Sequence, residues 1–222
     1  MVSCALSLLL CACTFPVNVG NGKTVRCTGE VQTRNLELKG FDKIVINGSA
    51  DLTLIQQEDF RVSVEANEEV FGYLDYHVED GTLMLETVDH VNVQAKKFQV
   101  TVTLPRLLLL EVNGAADADL KGGYCSTDKL RIEVNGAGDL DFNDIQVSEL
   151  SIEVNGAGDI DATSLDVTAL RVEVNGAGDV TLSGKADKAS FSVSGVGDID
   201  ARGLDCGSTE IHKSGVASIR TK

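Results

Sequence analysis

The 222-residue sequence has no tryptophan, two prolines and two methionines, and aromatic residues make up 5% of it. Enzymes that process sugars usually line their clefts with aromatic platforms, so this scarcity argues against a carbohydrate-active enzyme. Both prolines, Pro16 and Pro105, lie outside the repeated part of the chain. No segment has convincing helical periodicity, which argues against a mainly helical fold.

Basic residues are also scarce, with 19 Lys and Arg against 34 Asp and Glu and a net charge of −15. Residues 111–180 alone contain 15 acidic and 4 basic side chains. Such a surface repels the phosphates of nucleic acids, so no nucleic-acid partner is expected. An acidic surface favours binding of cations or basic partners, or serves only to keep the protein soluble. The hydrophobic content of 43% is enough for one domain with a core.

Recognisable catalytic motifs are missing as well. The sequence has no Gly-x-Ser-x-Gly, no His-Glu-x-x-His and no phosphate loop, and His77, His90 and His212 are scattered singly. Asp139 and Asp141 resemble the paired carboxylates of glycosidases, but the pair recurs in neighbouring repeats, whereas a catalytic pair is normally unique. We predict no catalytic residues and no enzyme activity; a polysaccharide lyase or hydrolase is the less favoured alternative.

What the sequence does contain is a repeated turn phrase, Asn-Gly-Ala-Gly-Asp or a close variant. Its copies begin at Asn47, Asn113, Asn135, Asn155 and Asn175, with altered forms at Ser194 and Ser214. From Asn113 onward the steps are 22, 20, 20, 19 and 20 residues. A turn recurring at a near-fixed interval indicates a solenoid that stacks one unit per repeat.

Apolar residues alternate before each turn, five, three and one residues ahead of it. The sets are Leu108, Leu110, Val112; Leu130, Ile132, Val134; Leu150, Ile152, Val154; Leu170, Val172, Val174; and Ala189, Phe191, Val193. Period-two alternation predicts a strand with one buried face. A second strand follows the turn, and a short apolar pair such as Ile145 and Val147 closes the circuit. The pattern therefore predicts an all-β, parallel β-helix with about 20 residues per coil.

The turn residues have an expected structural role. Asn-Gly tolerates a positive φ, and small Ala and Gly residues allow successive corners to stack closely. Stacked asparagines would bond one another along the axis. The predicted structural turn residues are Asn113, Asn135, Asn155, Asn175, Gly136, Gly156 and Gly176.

Acidic residues form further columns on this pattern. Calcium takes oxygen ligands from several carboxylates, so one hypothesis is a Ca²⁺ site made by Asp139, Asp141, Asp159, Asp161 and Asp179. The favoured alternative is that each motif Asp bonds its own turn amides and the columns are merely solvated. No other cofactor is expected.

Residues 1–13 carry no charged side chain and are too short to span a bilayer. We interpret residues 1–12 as a lipoprotein signal peptide that is cleaved before a lipidated Cys13; ordinary secretion or a misread hydrophobic segment are the alternatives. Residues 13–38 would form a lipid-anchored tether or first edge strand. The β-helix domain would span 39–222, with irregular coils in 39–105 and regular repeats in 106–222.

Two further expectations concern the mature chain. Cys125 and Cys206 are predicted to occupy apolar columns about four coils apart, ~19 Å, which is too far for a disulfide. They are interpreted as small buried hydrophobes rather than reactive thiols. In the last copy the inward triplet becomes Thr209, Ile211 and Lys213, and an inward lysine is a known protection of an exposed sheet edge.

Several segments resemble one bacterial family, "putative auto-transporter adhesin, head GIN domain". The similar segments run in order from about Phe41 to the C-terminus: Gly40–Ile44, Val64–Val70, Gly81–Glu86, Val102–Pro105 and the repeated turns. The resemblance implies a right-handed β-helix similar to that of pectin lyases and a role in cell adhesion. It attributes no catalytic residues to this chain.

Together these observations predict an outer-membrane-anchored lipoprotein of the bacterial envelope, on its surface or periplasmic face. The expected partners are the membrane, through the lipid anchor, a glycan or protein ligand on a host or neighbouring cell, and a second copy of the chain. A structural periplasmic lipoprotein without an external ligand is the alternative.

Overall fold

The computed structural model describes residues 23–88, 91–126 and 128–222. The structure is all β with 71% strand, and it forms about six stacked parallel turns of a β-solenoid spaced roughly 20 residues apart. The predicted fold class is therefore confirmed. Within the described ranges there is one 3-10 turn, Glu68–Gly72, and no α-helix. The predicted signal peptide, Cys13 and His90 lie outside the described residues.

The strands that precede the regular repeats are β1 Lys23–Cys27, β2 Val31–Leu36, β3 Lys43–Asn47, β4 Asp51–Gln56, β5 Arg61–Asn67, β6 Leu74–Glu79, β7 Thr82–Thr87, β8 Val91–Ala95 and β9 Phe98–Leu104. The strands of the repeats are β10 Leu109–Val112, β11 Ala118–Lys121, β12 Tyr124–Cys125, β13 Lys129–Val134, β14 Leu140–Asn143, β15 Ile145–Val154, β16 Ile160–Val174, β17 Val180–Val193, β18 Val196–Lys213 and β19 Val216–Thr221.

Successive coils of the repeats pair in parallel and in register. Val134 lies opposite Val154, and Val154 lies opposite Val174. Because the register repeats, like residues form columns along the solenoid axis. The columns that point inward hold the alternating Leu, Ile and Val residues, which are buried from Leu110 to Val193 and form one continuous core. Burial of this apolar surface is the main favourable contribution to folding.

The N-terminal half breaks the simple order of coils. β3 pairs in parallel with β7 on one side and with β10 on the other. β4 likewise lies between β9 and β11. The coil made by β3 and β4 therefore stacks between a coil that follows it in sequence and the first regular repeat, which begins more than fifty residues later.

Antiparallel pairs close this N-terminal end. β5 pairs antiparallel with both β2 and β9, and β6 pairs antiparallel with β7. β1 and β8 form a separate parallel two-stranded ribbon. Asn67, at the end of β5, ties these segments together: its side chain is buried, accepts hydrogen bonds from the amides of Lys96 and Lys97, and donates to Gly29 O.

Residues 208–213 of β18 pair with β17 and with no other described strand. Thr209, Ile211 and Lys213 continue the columns of Ala189, Phe191 and Val193, as the repeat predicts. They are nevertheless exposed, because no described strand pairs with their outer edge. Lys213 therefore occupies the column position that the repeat predicts, and its role in protecting this edge stays a prediction.

The cysteine prediction is half wrong. Cys206 continues the column of Val167 and Ala186, but Cys125 faces Gln146 and is exposed, while Tyr124 takes the buried position opposite Ile145. Tyr124 fills this site with its hydroxyl, which accepts from Leu107 N at 2.9 Å and donates to Leu107 O at 2.8 Å. Cys27, Cys125 and Cys206 are all free thiols.

Candidate binding face

The asparagines of the turns form a continuous ladder of side-chain hydrogen bonds. Nδ2 of each residue donates to Oδ1 of the asparagine in the coil before it. The distances are 2.8 Å from Asn113 to Asn47, 2.9 Å from Asn135 to Asn113, 3.0 Å from Asn155 to Asn135 and 3.0 Å from Asn175 to Asn155. At the other end, Ser194 Oγ donates to Asn175 Oδ1 at 2.7 Å. The side chains of these asparagines therefore already hydrogen-bond one another.

The glycines beside them are required by close packing. A Cβ atom on Gly136, Gly156 or Gly176 would lie 1.8–1.9 Å from the carbonyl oxygen of the glycine one coil below. Backbone bonds such as Ala157 N to Gly136 O, 2.9 Å, cross the same narrow gap. These three glycines do not have the positive φ that Asn-Gly suggested. The expectation of a positive φ is therefore wrong for these three glycines, whereas the close stacking expected of small residues at the corners agrees with the structure.

The motif aspartates make a second inter-coil ladder. Oδ1 of each accepts a hydrogen bond from the backbone amide at the same position of the next coil: 3.3 Å from Asp159 N to Asp139, and 2.9 Å from Asp179 N to Asp159. The alternative in which each Asp bonds its own turn amides is thus wrong in detail. The partner amide belongs to the following coil.

The aspartates two residues further on lie on the adjoining strands and point outward. Asp119, Asp141 and Asp161 are aligned in one column. Thr181 continues this column and Asp200 follows it. We call the outward surface formed by Asp139, Asp141, Asp159, Asp161 and Asp179 the acidic face.

Ion pairs distinguish this face from the neighbouring acidic row. On the strands before the turn, Arg131 pairs with Glu133 and, at 3.1 Å, with Glu153, and Arg171 pairs with Glu173. Within the part of the chain that the structure describes, none of the five carboxylates of the acidic face has a Lys, Arg or His partner. Its negative charge is therefore uncompensated by neighbouring side chains.

Ion pairs instead flank the acidic face along the axis. Lys121 contacts Asp119 at 2.9 Å on the N-terminal side. On the C-terminal side, Arg220 contacts Asp198 at 2.9 Å, and Arg202 Nε donates to Asp200 at 2.9 Å. The hydrogen bonds from Arg202 lower the pKa of the Asp200 carboxyl to about 2. The sequence interpretation missed these pairs, although Arg220, which follows Asp200 in the column of Asp141 and Asp161, could have indicated the C-terminal ones.

The structure does not gather the acidic residues into a compact metal site. Across residues 23–88, 91–126 and 128–222, no group of three or more His, Cys, Asp or Glu side chains is placed to hold a metal ion. Each motif aspartate already uses one oxygen to accept an amide. The Ca²⁺ hypothesis for Asp139, Asp141, Asp159, Asp161 and Asp179 stays a prediction.

A stack of coils with outward acidic ladders defines the class of protein, a β-solenoid with a repetitive surface. Residues 40–222 match the family described as "putative auto-transporter adhesin, head GIN domain". The chain belongs to this family. The resemblance noted in the sequence is thereby confirmed.

Solved structures have the same fold. A protein from Bacteroides fragilis described as a "putative adhesin" is 23% identical, with a TM-score of 0.75 over 89% of this chain and 100% of that chain. A "putative lipid binding protein" from Parabacteroides distasonis is 22% identical, with a TM-score of 0.74 over 90% and 97%. A "putative adhesin" from the same species is 20% identical, with a TM-score of 0.71 over 89% and 84%. The comparison with curated proteins gives no match.

The family and these structural relatives are described by adhesion or lipid binding rather than by an enzyme activity. An adhesin-like family suggests a surface or envelope protein. None of the described helical residues forms a helix long and apolar enough to cross a membrane.

Proposed function

We propose that this protein is an adhesin of the bacterial envelope that binds its ligand through the acidic face. The observation that carries this proposal is the contrast between two neighbouring acidic rows. Arg131 and Arg171 form ion pairs with Glu133, Glu153 and Glu173 before the turn, whereas the five aspartates after it have no basic partner among the described residues. If these aspartates served only solubility and stability, basic partners like those of the glutamates would stabilise them too.

The ligand should therefore be cationic where it contacts the protein. Carboxylates repeated along a rigid axis suit an extended partner, such as a basic protein segment or an amine-bearing glycan on a host or neighbouring cell. Association driven by such a face weakens as salt rises, since the Debye length falls from about 10 Å at 0.1 M to about 3 Å at 1 M.

Attachment to the cell is the second part of the proposal. Lipidation at Cys13 would place the solenoid on the outer membrane. Two or more acyl chains give stable anchoring, whereas a single chain gives only marginal binding.

A binding screen with labelled protein on whole cells and on glycan and basic-protein arrays tests the proposal. The informative variant is Asp141→Asn combined with Asp161→Asn, because both side chains point outward and their replacement leaves the ladder aspartates intact. The matched control is Glu133→Gln combined with Glu153→Gln, which removes the same charge from the compensated row. We expect the first variant to lose most of its binding, with a reduced dependence on salt, and the control to bind nearly as the wild type does.

Equal loss in both double variants would contradict a specific role for the acidic face. Exposure on intact cells is the companion measurement. Resistance to added protease until the outer membrane is opened would contradict adhesion and would favour the structural periplasmic role. Turnover of an acidic polysaccharide that is abolished by Asp→Asn at one coil alone would favour the glycan-cleaving alternative.

A further inference from the structure

The last coil ends in a strand with one unused edge. Residues 208–213 of β18 pair with β17 on one side, and no described strand pairs with the other side. We call residues 208–213 the terminal edge. An unpaired edge presents a row of backbone donors and acceptors that can pair with another chain.

Backbone bonding fixes which groups are free. Ser214 N donates to Val193 O at 2.8 Å, just as Ser194 N donates to Val174 O. The carbonyl of Val193 therefore points to the last coil, and Lys213, its partner in register, directs its own carbonyl away from the stack. Since a strand presents alternate residues to its two neighbours, Thr209, Ile211 and Lys213 have outward N–H and C=O groups.

Apolar surface accompanies these free groups. Ile211 is 46% exposed although it continues the fully buried column of Phe191. An open concavity of about 370 Å³, lined in part by Phe191, Leu204 and Ile211, leads into the end of the core. Val216, on the other strand of this coil, is 78% exposed. Burial of this surface would favour association.

We propose that the terminal edge pairs antiparallel with the terminal edge of a second copy, about a two-fold axis through Ile211. In this register Ile211 faces Ile211, and Thr209 faces Lys213, so the three residues with free groups meet their equivalents. Within one chain Glu210 contacts His212 Nε2 at 2.9 Å, and the same register places each Glu210 opposite His212 of the second copy, so these four side chains form one network across the two-fold axis. The edge is thus self-complementary in backbone groups, in apolar surface and in charge, as an isologous interface requires.

Other registers fit less well. A shift that places Ile211 opposite an even-numbered residue sets free backbone groups against groups already bonded within the stack. A register centred on Lys213 brings two lysine side chains directly opposite each other, and like charges in that position are destabilising. A register centred on Glu210 likewise sets two carboxylates opposite each other. We choose the register centred on Ile211 because it sets Ile211 against Ile211, keeps Glu210 opposite His212 and opposes no like charges.

The test is sedimentation equilibrium of the full chain in a density-matched nonionic detergent over a wide range of concentration. We expect a reversible monomer–dimer equilibrium. Glu210→Lys removes the two carboxylates that face His212 across the axis, puts a lysine in the place of each, and should raise the dissociation constant about tenfold or more. Adding His212→Glu to Glu210→Lys restores opposite charges in the reverse order and should restore dimerisation.

Ser190→Lys is the matched control, because Ser190 occupies the same outward column one coil below Glu210 and should leave the dissociation constant unchanged. A monomer at every concentration overturns the proposal. A dimer that is insensitive to Glu210→Lys, or a double variant that is no tighter than the single one, places the interface elsewhere and overturns it as well.

Discussion

The side-chain amide of Asn113 donates a 2.8 Å hydrogen bond to Oδ1 of Asn47, 66 residues earlier in the chain. This bond joins the first regular coil to a coil that is distant in sequence but adjacent in space. The amide of Asn47 in turn donates to the carboxylate of Glu86. Every amide of the ladder thus donates toward the N-terminal end, where a negative charge accepts the last bond, an arrangement that strengthens a hydrogen bond.

The ladder makes a direct prediction for its middle member. Asn155→Ala removes the acceptor for Asn175 and the donor to Asn135. Because these groups are exposed and water replaces part of what is lost, we expect a loss of about 1 kcal/mol in the free energy of unfolding. Thermal unfolding followed by circular dichroism measures it. Asn92→Ala, at an exposed position outside the ladder, should change little; equal effects would show that the ladder adds no stability.

The glycine column should be less tolerant. A Cβ at Gly156 would meet Gly136 O at 1.9 Å, whereas a Cβ at Gly72 would have no neighbour within 4 Å. Overpacking of this kind costs about 1–3 kcal/mol and sometimes more. We expect Gly156→Ala to lower the urea midpoint strongly and Gly72→Ala to leave it almost unchanged. A fully stable Gly156→Ala protein would mean that the coils can separate at this corner without cost.

The pair formed by Arg202 and Asp200 predicts a pH effect. The pKa of Asp200 is lowered from 3.8 to about 2, first by the side-chain hydrogen bond from Arg202. A carboxyl whose folded pKa is depressed stabilises the fold above its unfolded pKa, and this contribution is lost as the pH falls through the folded value. The relevant window is thus between about pH 4 and pH 2.

Carbon-13 NMR titration of the Asp200 carboxyl in Arg202→Met checks this assignment. We expect its pKa to rise toward the ordinary value, and the acid-induced loss of stability from this residue to shrink accordingly. Arg171→Met removes an arginine from the other acidic row and should not move the pKa of Asp200. A pKa that stays near 2 in Arg202→Met would assign the shift to other groups.

Exposure of the cysteines gives a third kind of test. Cys125 is exposed, whereas Cys27 is buried, and burial, followed by the nearby Glu69 charge, raises the pKa of the Cys27 thiol. Since the thiolate is the reactive form, maleimide should label Cys125 rapidly and Cys27 only on unfolding. Peptide mass spectrometry resolves the two sites. Rapid labelling of Cys27 in the native protein would contradict this packing.

The regular coils could be predicted from the sequence because the spacing of the repeated residues determines the register of the strands. Val134, Val154 and Val174 recur every 20 residues and stack as that interval requires. Cys125 was misplaced because the step from Asn113 to Asn135 is 22 residues. One extra residue lies on each side of Tyr124, so counting back from Asn135 stops one residue short, at Cys125 instead of Tyr124.

The order of the N-terminal coils had no comparable signal. Strands β5 to β9 lack the turn phrase. β5 pairs with β2 and β9, and β7 and β9 pair with β3 and β4, through contacts between segments distant in sequence; of the described pairs that these strands make, only β6 with β7 is joined by a short turn. The pairs of Arg131 with Glu133 and of Arg171 with Glu173 could have been predicted, because residues two apart on a strand lie on the same face. The pair of Arg131 with Glu153 and the uncompensated charge of the acidic face depend on contacts between coils. The net charge indicates an acidic surface. It does not indicate that the glutamates before the turn have arginine partners while the aspartates of the acidic face have none.

The Ca²⁺ hypothesis leads to the last prediction. If Asp139, Asp159 and Asp179 shared calcium ions, EDTA would lower the melting temperature and Ca²⁺ would restore it. In the structure each of these carboxylates already accepts an amide of the next coil. Repulsion between neighbouring carboxylates about 5 Å apart is only about 1 kcal/mol in water. We therefore expect EDTA and Ca²⁺ to leave the melting temperature unchanged at moderate salt. A rise with Ca²⁺ that Mg²⁺ does not reproduce, and that Asp159→Asn abolishes, would instead establish a calcium site on the acidic face.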